Sequence, residues 1–191
     1  MPMQDLMIDL ETLSTQPNAA IVSIGACMFD LTTGEIGAEY YQAISINDHP
    51  GLGHISAETV AWWMRQPYDA RLVFQDKNAR GITDALMELT TFRQRHRAQT
   101  YWSNGASFDL VILRQAHQKN GFAGAIWNYW QERDTRTMVD VAKRMTGEDV
   151  TKTTPFEGEK HNALADAKHQ ARYISKAYRL LAGGAVNAVL P

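Results

Sequence analysis

The segment Leu6-Met-Ile-Asp-Leu-Glu-Thr12 decides the fold prediction, because its side chains alternate in character. Leucine or isoleucine occupies every even position up to 10, whereas Met7, Asp9 and Glu11 occupy the odd positions. Successive side chains of a strand point to opposite faces. The pattern therefore predicts a strand that presents both carboxylates on one face.

Apolar runs and turn residues predict the elements that follow this strand. A second strand is expected over 20–30 and, after a turn at Thr32–Gly34, a third over 35–46. Short connections of this kind favour antiparallel neighbours. Ser56 is a candidate N-cap; we expect helices over 56–66, 78–97, 107–119, 135–145 and 163–182, and strands over 99–103 and 125–130. Three strands followed by alternating helices and strands predict a mixed α/β sheet with helices on its faces.

Composition limits the class of protein. A chain of 191 residues with 45% hydrophobic residues can bury one sizeable core. The net charge of −2 indicates no chain-wide basic surface, although bound divalent cations would change the local balance and keep a nucleic-acid ligand possible. The single Cys27 fits a reducing compartment, and neither a secretory signal nor a membrane span is recognisable. We expect a soluble, cytoplasmic protein.

Acidic residues in three places are candidates for chemistry, and each also has an ordinary explanation. Asp9 and Glu11 would repel each other on one strand face unless a cation lies between them. The alternative is that Glu11 faces solvent at the strand end and Asp9 caps the following loop. Asp109 in the first turn of a predicted helix is favoured by the helix dipole alone. Asp166 lies on or beside the inward face of an Ala-rich helix and needs a partner there, which an ordinary salt bridge also supplies.

His161 precedes that helix at the end of a polar segment, 147–160, which Pro155 and Gly158 interrupt. A histidine at such a junction is well placed to act as a general base, or is simply exposed. The segment is predicted to be a loop that is mobile without substrate.

Two adjacent tryptophans follow the predicted start of the first helix, in Thr59-Val-Ala-Trp62-Trp63. Neighbouring residues of a helix point about 100° apart, so the two rings do not share one buried face. We expect Trp63 in the core and Trp62 half-buried. The alternative is that one of them stacks on a nucleobase.

The acidic and histidine residues combine into a recognisable signature. Asp9-Leu-Glu-Thr12, Asn104-Gly-Ala-Ser-Phe-Asp109 and His161-Asn-Ala-Leu-Ala-Asp166 resemble the three motifs of the DEDDh 3′–5′ exonucleases, which include ribonuclease T, oligoribonuclease and the proofreading subunit of the replicative DNA polymerase. The Thr-x-x-Trp-Trp element resembles one in a bacterial and phage subgroup with exoribonuclease activity. It is also similar to segments of phage exonuclease VIII-type chains.

The resemblance implies a ribonuclease-H-like fold with a mixed five-stranded sheet, an exonuclease domain over 1–183 and a C-terminal tail over 184–191. Its implied ligands of two Mg²⁺ or Mn²⁺ ions are Asp9, Glu11 and Asp166, with Asp109 helping to hold the second ion and His161 as general base. Candidate contacts with the terminal nucleotide are Leu10, Thr12, Asn104, Phe108, Trp62 and Trp63. Asn104 is alternatively a turn residue, and Phe108 a core residue.

The resulting prediction is a metal-dependent 3′–5′ exonuclease that releases nucleoside 5′-monophosphates from single-stranded 3′ ends or overhangs, with RNA narrowly favoured over DNA. A non-catalytic nucleic-acid or protein-binding module and a small-nucleotide phosphohydrolase are the alternatives. The apolar tail either docks on a partner, for example in a homodimer, or frays.

Overall fold

The computed structural model describes residues 3–47, 52–105 and 107–187, which form one five-stranded sheet with helices on its faces. The strands are β1 (Asp5–Thr12), β2 (Ile21–Phe29), β3 (Ile36–Ala43), β4 (Thr100–Ser103) and β5 (Glu132–Asp134), in the sheet order β3-β2-β1-β4-β5. The helices are α1 (Ala57–Met64), α2 (Tyr68–Arg71), α3 (Ile82–Arg95), α4 (Asp109–Lys119), α5 (Thr135–Thr146), α6 (Val150–Thr153) and α7 (Ala163–Asn187). Short 3₁₀ turns lie at Leu72–Gln75 and Tyr129–Gln131. This confirms the predicted mixed sheet.

The pairing of the strands brings the carboxyl ends of three of them to the same end of the sheet. β1 pairs antiparallel with β2 and β2 with β3, as the short connections predicted. β1 and β4 are parallel, and so are β4 and β5, with Ser103 opposite Asp134. The carboxyl ends of β1, β4 and β5 therefore lie side by side, and the residues that follow them can meet.

The alternation in β1 divides the interior into two cores. Leu6, Ile8 and Leu10 belong to a core that also contains buried residues of α3 and α4. Met7 belongs to the opposite core, with Trp102 and buried residues of α5 and α7. The odd-numbered carboxylates of β1 thus lie on the α7 face, as the pattern predicted.

Gly25 allows α7 to approach the sheet closely. A Cβ atom at this position would lie 2.1 Å from the carbonyl carbon of Ala163, the first residue of α7. No side chain fits there. Because β2 lies beside β1, this contact brings the first turns of α7, with Asp166, over the carboxylates of β1.

The predicted strand over 125–130 is wrong. Trp127 is buried and stacks on Tyr101, with ring centroids 4.4 Å apart, and its indole N–H donates to Glu132. The following residues then form a 3₁₀ turn closed by a reciprocal capping box between Asn128 and Gln131. The strand itself comes after this turn, because the apolar residues that suggested it anchor a loop.

Other boundaries differ in smaller ways. The third strand ends at Ala43, and the long helix begins at Ile82 rather than near 78. Ser56 occupies the N-cap of α1 without a side-chain capping hydrogen bond. The segment 147–160 contains the short helix α6. α7 extends beyond the predicted domain boundary to residue 187, and tail residues 188–191 lie outside the described part of the chain.

Within the described ranges, no helix combines the length and the apolar character that a membrane span requires.

Candidate active site

Three carboxylates converge where β1 meets α7. Asp9, Glu11 and Asp166 each offer an oxygen atom, and these atoms lie within 4.8 Å of one another. The alternation of β1 brings Asp9 and Glu11 to the same face, and the close packing of α7 on β2 brings Asp166 over them. Residues 157 positions apart in the chain thus form one cluster, as the three motifs predicted.

Asp109 lies beside this cluster. It is the first residue of α4 and is 3% exposed, and its Oδ1 accepts a hydrogen bond of 3.1 Å from the backbone N–H of Leu10. This bond joins α4 to the centre of β1. Asp109 is outside the group of three that converge within 4.8 Å. Its position suits a ligand that acts at the edge of a metal site.

Burial raises the pKa values of all four carboxyl groups, and repulsion from neighbouring carboxylates adds to the rise for Asp9 and Glu11. Burial is the largest cause in each case. The pKa of Glu11 rises to about 8, with further increases from Asp166 and Asp109. The pKa of Asp109 rises to about 7, although the N–H of Leu10 opposes the rise. That of Asp9 also lies well above its usual value.

The carboxylate cluster has the charge and the ligand atoms that suit a bound divalent cation. The other three carboxyl groups repel Asp9 in this partly desolvated cleft, and the three converging side chains offer oxygen ligands. Hard cations such as Mg²⁺ and Mn²⁺ prefer oxygen ligands. Asp9, Glu11 and Asp166 would therefore hold a cation directly, and Asp109 would contribute from the side.

Gln170 is a site residue that the sequence analysis did not identify as such. It is 6% exposed, and its Nε2 donates a hydrogen bond of 2.7 Å to Oδ1 of Asp9. Gln170 follows Asp166 by four residues, so both lie on one face of α7. That spacing is a signal that was available in the sequence. The bond fixes the orientation of the Asp9 carboxylate.

His161 is held at the junction before α7. Its backbone has a φ of 64°, in the left-handed region that a histidine rarely adopts. Its N–H donates a hydrogen bond of 2.9 Å to Oδ2 of Asp166, which fixes the turn. The imidazole packs edge-to-face on Trp62, with the ring centroids 5.0 Å apart. The predicted general base is thus attached to a residue of the acidic cluster.

A cavity of about 430 Å³ opens next to Glu11. Its walls contain predicted substrate contacts together with residues that were not predicted to contact a substrate. The lining residues are Leu10, Glu11, Thr12, Thr15, Ser56, Glu58, Thr59, Trp62 and Phe108. Apolar rings and hydroxyl groups beside an acidic cluster provide the surroundings that a nucleoside requires.

The two tryptophans occupy the positions that we expected. Trp63 is 3% exposed, and its indole N–H donates a hydrogen bond of 2.9 Å to the backbone oxygen of Thr12. Trp62 is half-buried and faces the cavity. Phe108 packs against the core and also lines the cavity, whereas its contact with a nucleotide stays a prediction.

Asn104 lies directly after the carboxyl end of β4. Its Oδ1 accepts hydrogen bonds from Thr135 at 3.2 Å and from Arg136 at 3.3 Å. These bonds connect the end of β4 to the start of α5. They give Asn104 a structural role as a turn residue, and a contact with substrate remains a prediction.

Comparisons with known proteins agree with this geometry. The nuclease domain of 3′hExo, a DEDDh family member bound to rAMP, has a similar fold, with a TM-score of 0.62 at 12% identity over 92% of this chain and 91% of that one. The Mg²⁺- and Mn²⁺-bound form of S. pombe Pop2p gives a TM-score of 0.65 at 12% identity over 95% and 85% of the two chains. An exodeoxyribonuclease of Enterobacteria phage T4 is 23% identical, with 95% of this chain and 92% of the relative covered.

The fold is the one that these nucleases share, and the class of the protein is 3′–5′ exonuclease. The sequence profile of the Rv2179c-like 3′-5′ exoribonuclease domain matches residues 4–178, and the chain belongs to this family.

Proposed function

We propose that the protein removes nucleoside 5′-monophosphates one at a time from single-stranded 3′ ends, with two divalent cations, and that RNA is its preferred substrate. The observation that carries this proposal is the convergence of three carboxylates beside a cavity of about 430 Å³. A cavity of this size suits a single terminal nucleotide. RNA is favoured because the matched family is described as exoribonuclease, although the relative from phage T4 is an exodeoxyribonuclease.

The residues divide the reaction between them. Two cations bound by Asp9, Glu11, Asp166 and Asp109 would supply positive charge to the attacking and leaving oxygens of the phosphodiester. His161 takes the proton from the attacking water. The water oxygen bonds to phosphorus, and the bond from phosphorus to the 3′ oxygen of the preceding nucleotide breaks. The phosphate therefore stays on the 5′ oxygen of the released nucleotide.

The cavity walls favour single-stranded 3′ ends over duplex ends. Trp62 and Phe108 provide ring surfaces, and Thr12 provides a hydroxyl group at the same wall. A base must leave its duplex stack to reach such a site, and unstacking has a free-energy cost. Single-stranded ends and short overhangs should therefore be cleaved faster than blunt duplex ends.

The test is degradation of matched oligonucleotides that carry a 5′ label. RNA and DNA of the same sequence, single-stranded or as blunt duplexes, are incubated with Mg²⁺ or Mn²⁺, and the products are separated by length. A ladder that shortens from the 3′ end, fastest with single-stranded RNA, supports the proposal. Efficient digestion of blunt duplex DNA with RNA untouched would refute the substrate assignment. Hydrolysis of free nucleotides alone would indicate a phosphohydrolase.

A further inference from the structure

The imidazole of His161 rests on an aromatic surface formed by both tryptophans. Its ring centroid lies 5.0 Å from that of Trp62 and 6.4 Å from that of Trp63, with interplanar angles of 86° and 74°. Both contacts have the edge-to-face geometry that aromatic rings favour. These two contacts therefore define the position of the imidazole of the predicted general base.

The aromatic surface under His161 is held by a hydrogen bond and by ring contacts. Trp63 is bonded through its indole N–H to the oxygen of Thr12, at the end of β1, and packs on Phe74 at 5.1 Å. Trp62 lies edge-to-face on Trp63 at 5.1 Å. The position of Trp62 thus follows from the end of the strand that also carries Asp9 and Glu11.

His161 also borders a second cavity, of about 640 Å³. Tyr41, Asp69 and Asn162 contribute to its lining. The backbone of His161 is fixed by its bond to Asp166, and its side chain contacts the two tryptophans and borders this cavity. Loss of the Trp62 ring would remove the nearer of the two ring contacts of the imidazole.

We propose that Trp62 is a positioning residue for His161, in addition to forming a wall of the nucleotide cavity. This inference rests on the proposed function of His161 as general base. Trp62 touches the histidine and lines the cavity beside Glu11, so a nucleotide in that cavity presses on the same indole that supports the base. Occupation of the cavity and orientation of the base are then linked through one side chain.

The experiment is a double-mutant cycle of Trp62→Leu and His161→Ala, measured as kcat and KM on a single-stranded oligonucleotide with Mn²⁺. Trp62→Leu should lower kcat by about 10- to 100-fold, the effect of misplacing a reacting group by about 1 Å. In the His161→Ala background the same substitution should change kcat by no more than about 2-fold, since the group on which it acts is absent.

Two variants on α1 serve as comparisons. Trp62→Phe keeps a ring beside the histidine and should restore most of kcat. Met64→Ala removes a side chain that is 72% exposed on the same helix and should leave both kinetic parameters unchanged. A readout without turnover is the NMR signal of the His161 ring, which ring currents of the tryptophans displace. Trp62→Leu should move this signal towards its position in an unfolded peptide, whereas Mn²⁺ affinity should not change.

The outcomes distinguish failure of the positioning role of Trp62 from failure of the general-base role of His161. If Trp62→Leu raises KM and leaves kcat and the His161 signal unchanged, the indole only stacks on the substrate and the positioning role is refuted. Equal losses from Trp62→Leu in both backgrounds also refute it. If His161→Ala itself retains full kcat, the assignment of the general base in the proposed function has failed.

Discussion

Glu11→Gln should stabilise the protein at alkaline pH when no metal is present. The pKa of Glu11 rises from an ordinary 4.5 to about 8 in the fold, mainly because of burial and then because of Asp166 and Asp109. Between these two values the folded protein keeps a proton that the unfolded chain has lost. The free energy of unfolding therefore falls as pH rises from 4.5 to about 8.

The size of this effect follows from the same interval. One pKa unit corresponds to about 1.4 kcal/mol, so the interval for Glu11 corresponds to about 5 kcal/mol at pH above 8. Water that enters the open side of the cleft reduces this figure, and we expect a gain of about 2–4 kcal/mol for Glu11→Gln. A neutral amide of the same shape removes the cost of ionisation.

Urea denaturation in EDTA at pH 5 and pH 8.5 measures this gain. The variant and the unmodified protein should differ little at pH 5, and the variant should be more stable at pH 8.5. Mn²⁺ at about 1,000 times its Kd should remove this difference at pH 8.5, because only the intact cluster binds the ion tightly and such a concentration adds about 4.1 kcal/mol. Equal stabilities at pH 8.5 in EDTA would contradict the repulsion that we infer.

Three further predictions concern the supports of the site. Gln170→Leu should weaken Mn²⁺ binding in calorimetry by about 10- to 100-fold, because the Asp9 carboxylate loses the hydrogen bond that orients it. The control Gln131→Leu loses a bond to Gln99 and should not change Mn²⁺ affinity. Equal affinities of the two variants would show that Gln170 does not support the site. Gly25→Ala should cost at least about 1–3 kcal/mol in denaturation, because its Cβ meets Ala163, whereas Gly81→Ala meets nothing within 4 Å. A stable Gly25→Ala variant would show that α7 can shift freely. Residues 154–160 should lose amide protection from hydrogen exchange without substrate and gain it with metal and a 3′ terminus; strong protection in both states would indicate a preformed site.

The acidic cluster could be predicted because its geometry follows from local rules. The alternation of β1 alone places Asp9 and Glu11 on one face, and burial of a charged residue in α7 requires a partner. Each motif had an ordinary explanation by itself. The order of the three motifs made the prediction specific, and the structure confirms that Asp166 meets the carboxylates of β1.

The parts that the sequence did not reveal depend on contacts between distant segments. Trp127 belongs to an apolar run that reads as a strand, and only the stacking partner Tyr101 shows that it anchors a loop. Glu58 and Thr15 line the cavity because α1 docks beside the end of β1. Neither residue has a local pattern that indicates such a role.

The segment before His161 is also held by contacts that its composition did not reveal. Its composition predicted a mobile segment over 147–160, but Glu148 pairs with Lys176 of α7 at 2.6 Å and Lys143 pairs with Asp149 at 2.9 Å. These pairs attach the first half of the segment to two helices. The second half also contacts α7, through the Glu157–Arg172 pair at 2.8 Å and the packing of Phe156 on His169. Mobility of this half without substrate stays a prediction.

The dependence of 3′-end cleavage on the metal and on Asp166 tests the proposed mechanism most directly. A 5′-labelled single-stranded RNA is incubated with the unmodified protein or with Asp166→Asn, in Mn²⁺ or in EDTA. We predict stepwise shortening from the 3′ end with release of nucleoside 5′-monophosphates by the unmodified protein in Mn²⁺, and none in the other three reactions. Near-normal turnover by Asp166→Asn at saturating Mn²⁺, or cleavage in EDTA, would contradict catalysis by metal ions held in this carboxylate cluster.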